Sequence, residues 1–313
     1  MHPYLSLSRY WKKKFGTRIQ RIPLDAGLSC PNRDGTISYK GCIFCNEQGS
    51  GTGLQRNSVS LKDQYNLFRK KLLQKYGPIR FAAYLQSFTN THCDSDRLQD
   101  ILDQLKELPD LDVLCIGTRP DCLDKEKLRI IASFPCREIW LDLGLQSSKE
   151  TTLRFINRGH LAEDFSRACH LAHQLDIKVC AHVIAGLPEE DLKDFLETIA
   201  FLNNLPVNGI KFHNLYVCKK TELARIWSKK EYTPLTLDQY VSWIVRAICF
   251  LRPDLVIHRL TGDPAKGELL APDWAVQKNL ILNKINQSMV RDGLWQGSLL
   301  PVSQLGWPVT DQP

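Results

Sequence analysis

The chain has 313 residues, 43% hydrophobic and 24% charged, which suits a buried core in one large or two small domains and excludes a disordered or fibrous protein. Its 41 basic and 34 acidic residues leave a formal charge of +7, an excess that permits an anionic partner without demanding one. Eleven cysteines, no secretion signal and no apolar run of about 18 residues argue against a disulfide framework and a membrane span, and read as a cytoplasmic protein.

The segment RYWKKKFGTRIQR (9–21) carries six basic and no acidic residues around Tyr10, Trp11 and Phe15. That composition suits phosphates and stacked bases, and equally an ordinary solvated face. Short runs of Val, Ile and Leu then alternate with stretches of helical period, the pattern of βα units around a parallel sheet. Strands are predicted at 21–28, 79–86, 112–117, 138–145, 177–185 and 208–217. Helices are predicted at 61–77, with Gly77 as its stop, at 95–108, with Ser95 as its N-cap, and from Asp124, Glu150, Ala162 and Glu189 onward. After the sixth strand come a helix (235–253), a strand (255–262), a helix (273–293) and a loose last dozen residues. Further basic runs lie at 69–75 and 219–230. A doubly wound sheet and a partial barrel both satisfy this order, and either places its site at the carboxyl ends of the strands.

Directly after the first strand, LSCPNRDGTISYKGCIFCNEQG (28–49) holds Cys30, Cys42 and Cys45 in one loop shaped by Pro31, Asp34, Gly35 and Gly41. A lone C-x-x-C says little, because eleven cysteines in 313 positions produce roughly 0.4 by chance. Structural zinc wants four ligands, and His92 or Cys93 is only a distant fourth. An iron–sulfur cubane held by three thiolates would leave one iron free for something else. Spacing alone leaves cluster, zinc and neither open. Elsewhere, Lys211 and His213 alternate on the sixth strand and so share a face. The other eight cysteines form no ligand spacing and read as inert buried thiols.

At CPNRDG and GCIFCN the sequence resembles the radical S-adenosylmethionine enzymes, in the branch similar to the Elongator catalytic subunit. The likeness continues through YLQSFTNT (84–91), IGTRPDCL (116–123), LGLQSSKETTLRFINRGH (143–160), HVIAGLPEE (182–190), GIKFHNLYVCKKTELA (209–224) and VIHRLTGD (256–263). The last stretch favours a small bacterial Elongator-like family without the acetyltransferase domain. The resemblance implies an α/β fold, a partial (β/α)6 TIM-like barrel with a short C-terminal strand-helix extension. It divides the chain into a basic N-terminal segment (1–20), a core (21–254) and the extension (255–313).

It further implies a [4Fe-4S] cluster on Cys30, Cys42 and Cys45, whose open iron chelates S-adenosylmethionine. One-electron reduction by a donor such as flavodoxin or ferredoxin then releases a 5′-deoxyadenosyl radical. By the same resemblance Phe44 and the backbone around Asn46 lie near the adenine. Gln86 and Asn90, with Ser87 and Thr89, face the methionine ammonium, and Gly186 passes close to the adenine. Arg119 suits bidentate contact with a carboxylate and Gln146 suits ribose hydroxyls or substrate. Asp142 stands where the family more often has Glu. Lys211 is placed with the cofactor, while Arg158, His160, His258, Arg259 and Asp263 match without a role. The basic runs and the Elongator likeness suggest a tRNA substrate. The competing reading is a zinc-stabilised nucleic-acid-binding protein without catalysis.

Overall fold

Seven parallel strands follow one another in sequence order across a single sheet in a computed structural model, which describes residues 2–46 and 59–300. They are β1 (Ile19–Leu24), β2 (Arg80–Leu85), β3 (Leu111–Thr118), β4 (Glu138–Gln146), β5 (Lys178–Ala185), β6 (Gly209–Asn214) and β8 (Val256–Arg259). Two short strands, β7 (Val217–Cys218) and β9 (Leu269–Ala271), pair antiparallel beyond the end of β6. The order β1-β2-β3-β4-β5-β6-β8 has no pairing between its two edges, so the sheet is an open, partial barrel. The strand at 255–262, expected within a C-terminal extension, pairs in parallel with β6 and is the seventh strand of the same sheet. The last dozen residues lie outside the described residues.

The crossovers are the expected amphipathic helices: α2 (Leu61–Tyr76), α3 (Ser95–Lys106), α4 (Lys125–Ala132), α5 (Glu150–Phe155), α6 (Ala162–His173) and α7 (Leu192–Asn203). Their starts are set by local chemistry. Asp94 rather than Ser95 caps α3, accepting from the Arg97 amide at 2.7 Å, because a carboxylate there also meets the positive helix terminus. Likewise Asp191, with Asp194, forms a capping box that starts α7 three residues later than Glu189. Two helices, α8 (Glu222–Ser228) and α9 (Leu237–Phe250), follow β7, and α10 (Lys278–Arg291) packs against α9. Leu98, Ile101, Leu102 and Leu105 of α3 typify the buried faces that cover the outside of the sheet.

The concave face is closed at its amino end by α1 (Leu7–Phe15), the basic segment. Trp11 is 2% exposed and packs with Val113, Cys115 and Trp140 on the inner face of the strands. The carboxylate of Glu138, the first residue of β4, gathers the floor together. It accepts from Tyr10 Oη (2.7 Å), Trp11 Nε1 (2.9 Å), Trp140 Nε1 (2.5 Å) and Lys14 Nζ (2.5 Å). Burial would raise its pKa, but Lys14 and these hydrogen bonds outweigh it and hold Glu138 below the usual carboxylate value. The indole of Trp11, a candidate for base stacking, is therefore core.

Above the floor the interior is polar. Asp142 of β4 receives Lys211 Nζ of β6 at 2.5 Å, and Lys211 also donates to Tyr84 Oη at 3.0 Å. Both charged side chains are buried, at 0% and 3% exposure. Burial opposes the Asp142 carboxylate, yet Lys211, His182 and Arg21 pull its pKa well below normal, so it is a permanent anion at neutral pH.

Replacing Glu138 by Ala leaves three neutral donors and Lys14 without their acceptor and should cost about 3 kcal/mol in urea unfolding. Because its folded pKa is depressed, Glu138 stabilises the fold above about pH 4.5, its ordinary value, and that contribution fades as pH falls; Glu138→Gln should lack this acid-sensitive part. Asp142→Asn should lose about 3–5 kcal/mol by stranding the Lys211 cation, and adding Lys211→Met should restore most of it. Unfolding midpoints of the two proteins check this directly.

Candidate active site

The cysteine loop sits at the opposite, carboxyl end of the barrel, held by backbone and amide contacts rather than by an apolar core of its own. Cys30 O accepts from the amides of Arg33 (2.8 Å) and Asp34 (3.1 Å), and Cys42 O accepts from that of Cys45 (2.9 Å). Asn157 Nδ2 donates to Gly41 O (2.7 Å), and the Ile43 amide to Ile156 O (3.1 Å), tying the loop to the connection after α5. Gly41 takes a left-handed φ of 70° beside the Arg33 side chain, which suits a residue without Cβ.

All three cysteines carry free thiols and line one cavity of about 220 Å³. Asn32 Nδ2 and Arg158 Nη1 each point at Cys42 Sγ from 3.6 Å, donors that suit a thiolate. Burial and the neighbouring Cys42 push the Cys45 thiol up to about 11 against the pull of Arg33. A metal that displaces this proton relieves that cost. His92, the distant fourth ligand considered for zinc, is paired with Asp34 at 2.8 Å. Three sulfurs facing one cavity, with donors directed at one of them, fit a thiolate-held cluster with an open position.

A second cavity of about 380 Å³ adjoins the first, sharing Phe44, Cys45, Gln86, Gln146, His182 and Arg259. Phe44, Gln86 and Gln146 thus line both cavities beside the cysteines, and Gln146 ends β4 at a left-handed φ of 75° that turns the chain at the rim. Asn46 lines the second cavity but is already engaged: its side chain donates to Glu268 at 2.5 Å and its carbonyl accepts from Arg33 at 2.6 Å. Lys211 and Asp142 form the base of the first cavity.

Three expected residues already have protein partners, and of these Arg119 lines the cysteine cavity. Asn90 is buried and donates to the carbonyls of Ser87 and Gly117, both at 2.9 Å; it braces the turn whose Ser87 and Thr89 line the cavity. Arg119 directs its fork at Asp121 (2.9 and 2.7 Å) and at Arg158 O (2.8 Å), so a carboxylate is already in its grip. Gly186 borders a separate cavity with Tyr232 and Leu235; its carbonyl accepts from Tyr232 Oη at 2.8 Å. Arg158, which the sequence singled out without a role, is the residue brought to Cys42. Its sequence signal was only that it matched, because a sequence separation of 116 hides their contact.

Asp142, Cys180 and His258 bring ligand atoms within 4.8 Å of one another in the barrel interior. A cation there would meet Lys211 on Asp142 and Arg21, whose Nη2 lies 2.6 Å from His258 Nδ1. Two positive side chains make this cluster a structural one rather than a metal centre. The adjacent imidazoles of His182 and His213 are 5.4 Å apart. Burial and the nearby cations lower both, His182 to about 4, so both rings are neutral at pH 7.

Comparison with known proteins agrees with this geometry. Residues 34–202 match the model of the Radical SAM superfamily, and residues 207–291 match that of the Radical SAM C-terminal domain. The uncharacterized protein YtqA of Bacillus subtilis is 33% identical over 295 residues, 94% of this chain and 92% of that protein. The uncharacterized protein MJ0486 of Methanocaldococcus jannaschii is 37% identical over 297 residues, 92% of this chain and 90% of its own. Elongator complex protein 3 of Homo sapiens is 30% identical over 159 residues, 48% of this chain and only 28% of that protein. The archaeal Elp3 of Methanocaldococcus infernus, with an N-terminal deletion, superposes with a TM-score of 0.68 over 89% of this chain and 64% of that one. At 18% identity this is a likeness of fold. No helix among the described residues is long and apolar enough to cross a membrane. The radical SAM domain implies a [4Fe-4S] and S-adenosylmethionine cofactor system, and the chain is an enzyme that belongs to the radical S-adenosylmethionine superfamily, close to its Elongator-like bacterial and archaeal members.

Proposed function

We propose that Cys30, Cys42 and Cys45 hold a [4Fe-4S] cluster with one iron open to S-adenosylmethionine, and that the enzyme uses it to functionalise an RNA, a tRNA in particular. The observation that carries the first part is the convergence of three free thiols on one cavity that opens into a second, nucleoside-sized one. When bound, the cluster and S-adenosylmethionine supply reductive cleavage of a sulfonium carbon–sulfur bond and hence a carbon radical. The chain's own residues then have defined tasks. Asn32 and Arg158 stabilise the Cys42 sulfur, Phe44 offers a face for the adenine, and Gln86, Ser87 and Thr89 offer oxygen acceptors for an ammonium. The sealed floor under Trp11 and Glu138 keeps bulk water from the amino end, so a radical formed above it meets only side chains and substrate. A one-electron donor such as flavodoxin or ferredoxin completes the scheme.

The RNA part rests on charge at the correct rim. Lys12 and Lys13 are exposed but belong to α1, at the end of the barrel away from the cysteines. Lys229 and Lys230 are exposed just after α8, where Lys40 of the cysteine loop and Lys229 both act on the Glu222 carboxylate. A polyanion reaching the site would track along this second group.

Anaerobically reconstituted protein should bind about four irons per chain and, reduced with dithionite, release 5′-deoxyadenosine; Cys42→Ala should abolish both. A colourless chain holding one zinc, or unchanged cleavage in Cys42→Ala, would reject the assignment. In filter binding, tRNA affinity should fall steeply with salt, and Lys229→Glu with Lys230→Glu should weaken it about tenfold or more while Lys12→Glu with Lys13→Glu changes it little. Equal losses in the two pairs would count against the proposed rim.

A further inference from the structure

Beside the nucleoside-sized space, the second cavity contains a group of polar side chains with no task in the scheme above. Asn214, 3% exposed at the end of β6, is fixed by two hydrogen bonds at its Oδ1, from the Gly262 amide (2.8 Å) and Thr261 Oγ1 (2.9 Å). A backbone N–H can only donate, so the atom it meets must be the amide oxygen, and the Asn214 Nδ2 donor is left without a partner. His213, two strand residues from Lys211 on the same inward face, likewise has an unpartnered Nε2, as does His182, which stands opposite Lys211 on β5 with its ring 5.4 Å from that of His213.

The cation beside them is equally uncommitted. Arg259 ends β8 opposite Lys211 and makes no hydrogen bond among the described residues. Its nearest carboxylate, Asp263, is 3.9 Å away and is held instead by Lys278 at 2.8 Å. Deeper in, Arg21 has only the neutral ring of His258 as a hydrogen-bond partner, and its Nε has none. Asp142 is ion-paired with Lys211 and also faces Arg21, so one carboxylate answers two buried cations and the interior retains an excess of positive charge. With the cluster oxidised the cofactors do not alter this count, because three thiolates on a 2+ core and S-adenosylmethionine then carry opposite single net charges. Arg259 is itself 38% exposed, but the buried, fixed donor of Asn214 and the buried cations behind it are costly unless an anion completes them.

We infer that the substrate portion entering this cavity carries an oxyanion, a carboxylate or a phosphate, bound by Arg259, Asn214 Nδ2 and His213 below the cysteine loop. Resting on the radical SAM reading, the inference adds a substrate class to it. Arg259 supplies the charge and two parallel N–H donors, Asn214 a third donor in fixed orientation, and His213 a fourth in its Nε2–H tautomer. Tyr216 and Cys218 wall the same cavity and limit the size of the group that carries the anion.

Calorimetric titration with malonate, inorganic phosphate and neutral malonamide tests this on the full chain, both without iron and after reconstitution with S-adenosylmethionine. Malonate or phosphate should bind saturably and malonamide should not. Arg259→Gln should weaken the anion about tenfold or more, whereas Arg259→Lys, which keeps the charge, should lose about threefold or less. Equilibrium dialysis should find S-adenosylmethionine affinity weakened much less than anion affinity in Arg259→Gln, since Arg259 also borders the cysteine cavity. Absence of anion binding in the wild type, equal binding of malonamide, anion affinity indifferent to Arg259→Gln, or loss of S-adenosylmethionine affinity instead would each overturn the inference. A chain that takes the anion but never cleaves S-adenosylmethionine defeats the functional reading alone, and one that cleaves it but takes no anion defeats this inference alone.

Discussion

A sheet of seven parallel strands that does not close must fill its concave face from elsewhere, and that constraint organises the molecule. At the amino end the filler is a helix from the chain's own start, with Trp11 and Tyr10 brought onto Glu138. At the carboxyl end it is the cysteine loop, which leaves a cavity lined by its three thiols. Between them the ion pair of Asp142 and Lys211 ties β4 to β6 across the interior. Closing one end and leaving the other lined by thiols, amides and imidazoles gives the barrel a direction.

The same constraint explains why polar residues are tolerated inside. Lys211 meets Asp142 and Tyr84, and Arg21 meets His258, so these polar side chains satisfy part of one another's hydrogen-bonding capacity inside the barrel. Of the buried polar atoms left without a partner among the described residues, those of Asp142, Arg158, His182, His213 and Asn214 line the adjoining cavities, while others, such as those of Glu150, His258 and Ser298, lie elsewhere. Buried atoms in need of partners mark where ligands complete the structure. Function and folding thus compete for the same residues: an interior repacked with hydrocarbon would be more stable and could bind nothing charged.

Much of this was legible in the sequence, for identifiable reasons. Apolar runs between turns located all six expected strands to within a few residues, because a parallel sheet covered on both faces needs them. The loop of Cys30, Cys42 and Cys45 stood out because its ligands are local in sequence. What could not be read were contacts that depend on strand order. The segment 9–21 read as suited to phosphates and bases or as a solvated face, since nothing local reveals that Glu138 waits for Tyr10, Trp11 and Lys14 more than a hundred residues away. Asp142 and Lys211 were each singled out, but their pairing needs β5 placed between β4 and β6. Arg119 looked free to clamp a carboxylate until Asp121, two residues on, was seen to occupy it. The strand at 255–262 read as an appendage because no periodicity says which sheet edge a strand joins.

The central claim is that three cysteines leave one metal position open to S-adenosylmethionine. Electron paramagnetic resonance of the reduced, reconstituted protein, with and without S-adenosylmethionine, tests it most directly. The account predicts a reduced [4Fe-4S] signal whose g-values shift on adding S-adenosylmethionine and which is lost in Cys42→Ala. A cluster signal indifferent to S-adenosylmethionine, or one that survives loss of Cys42, would contradict it.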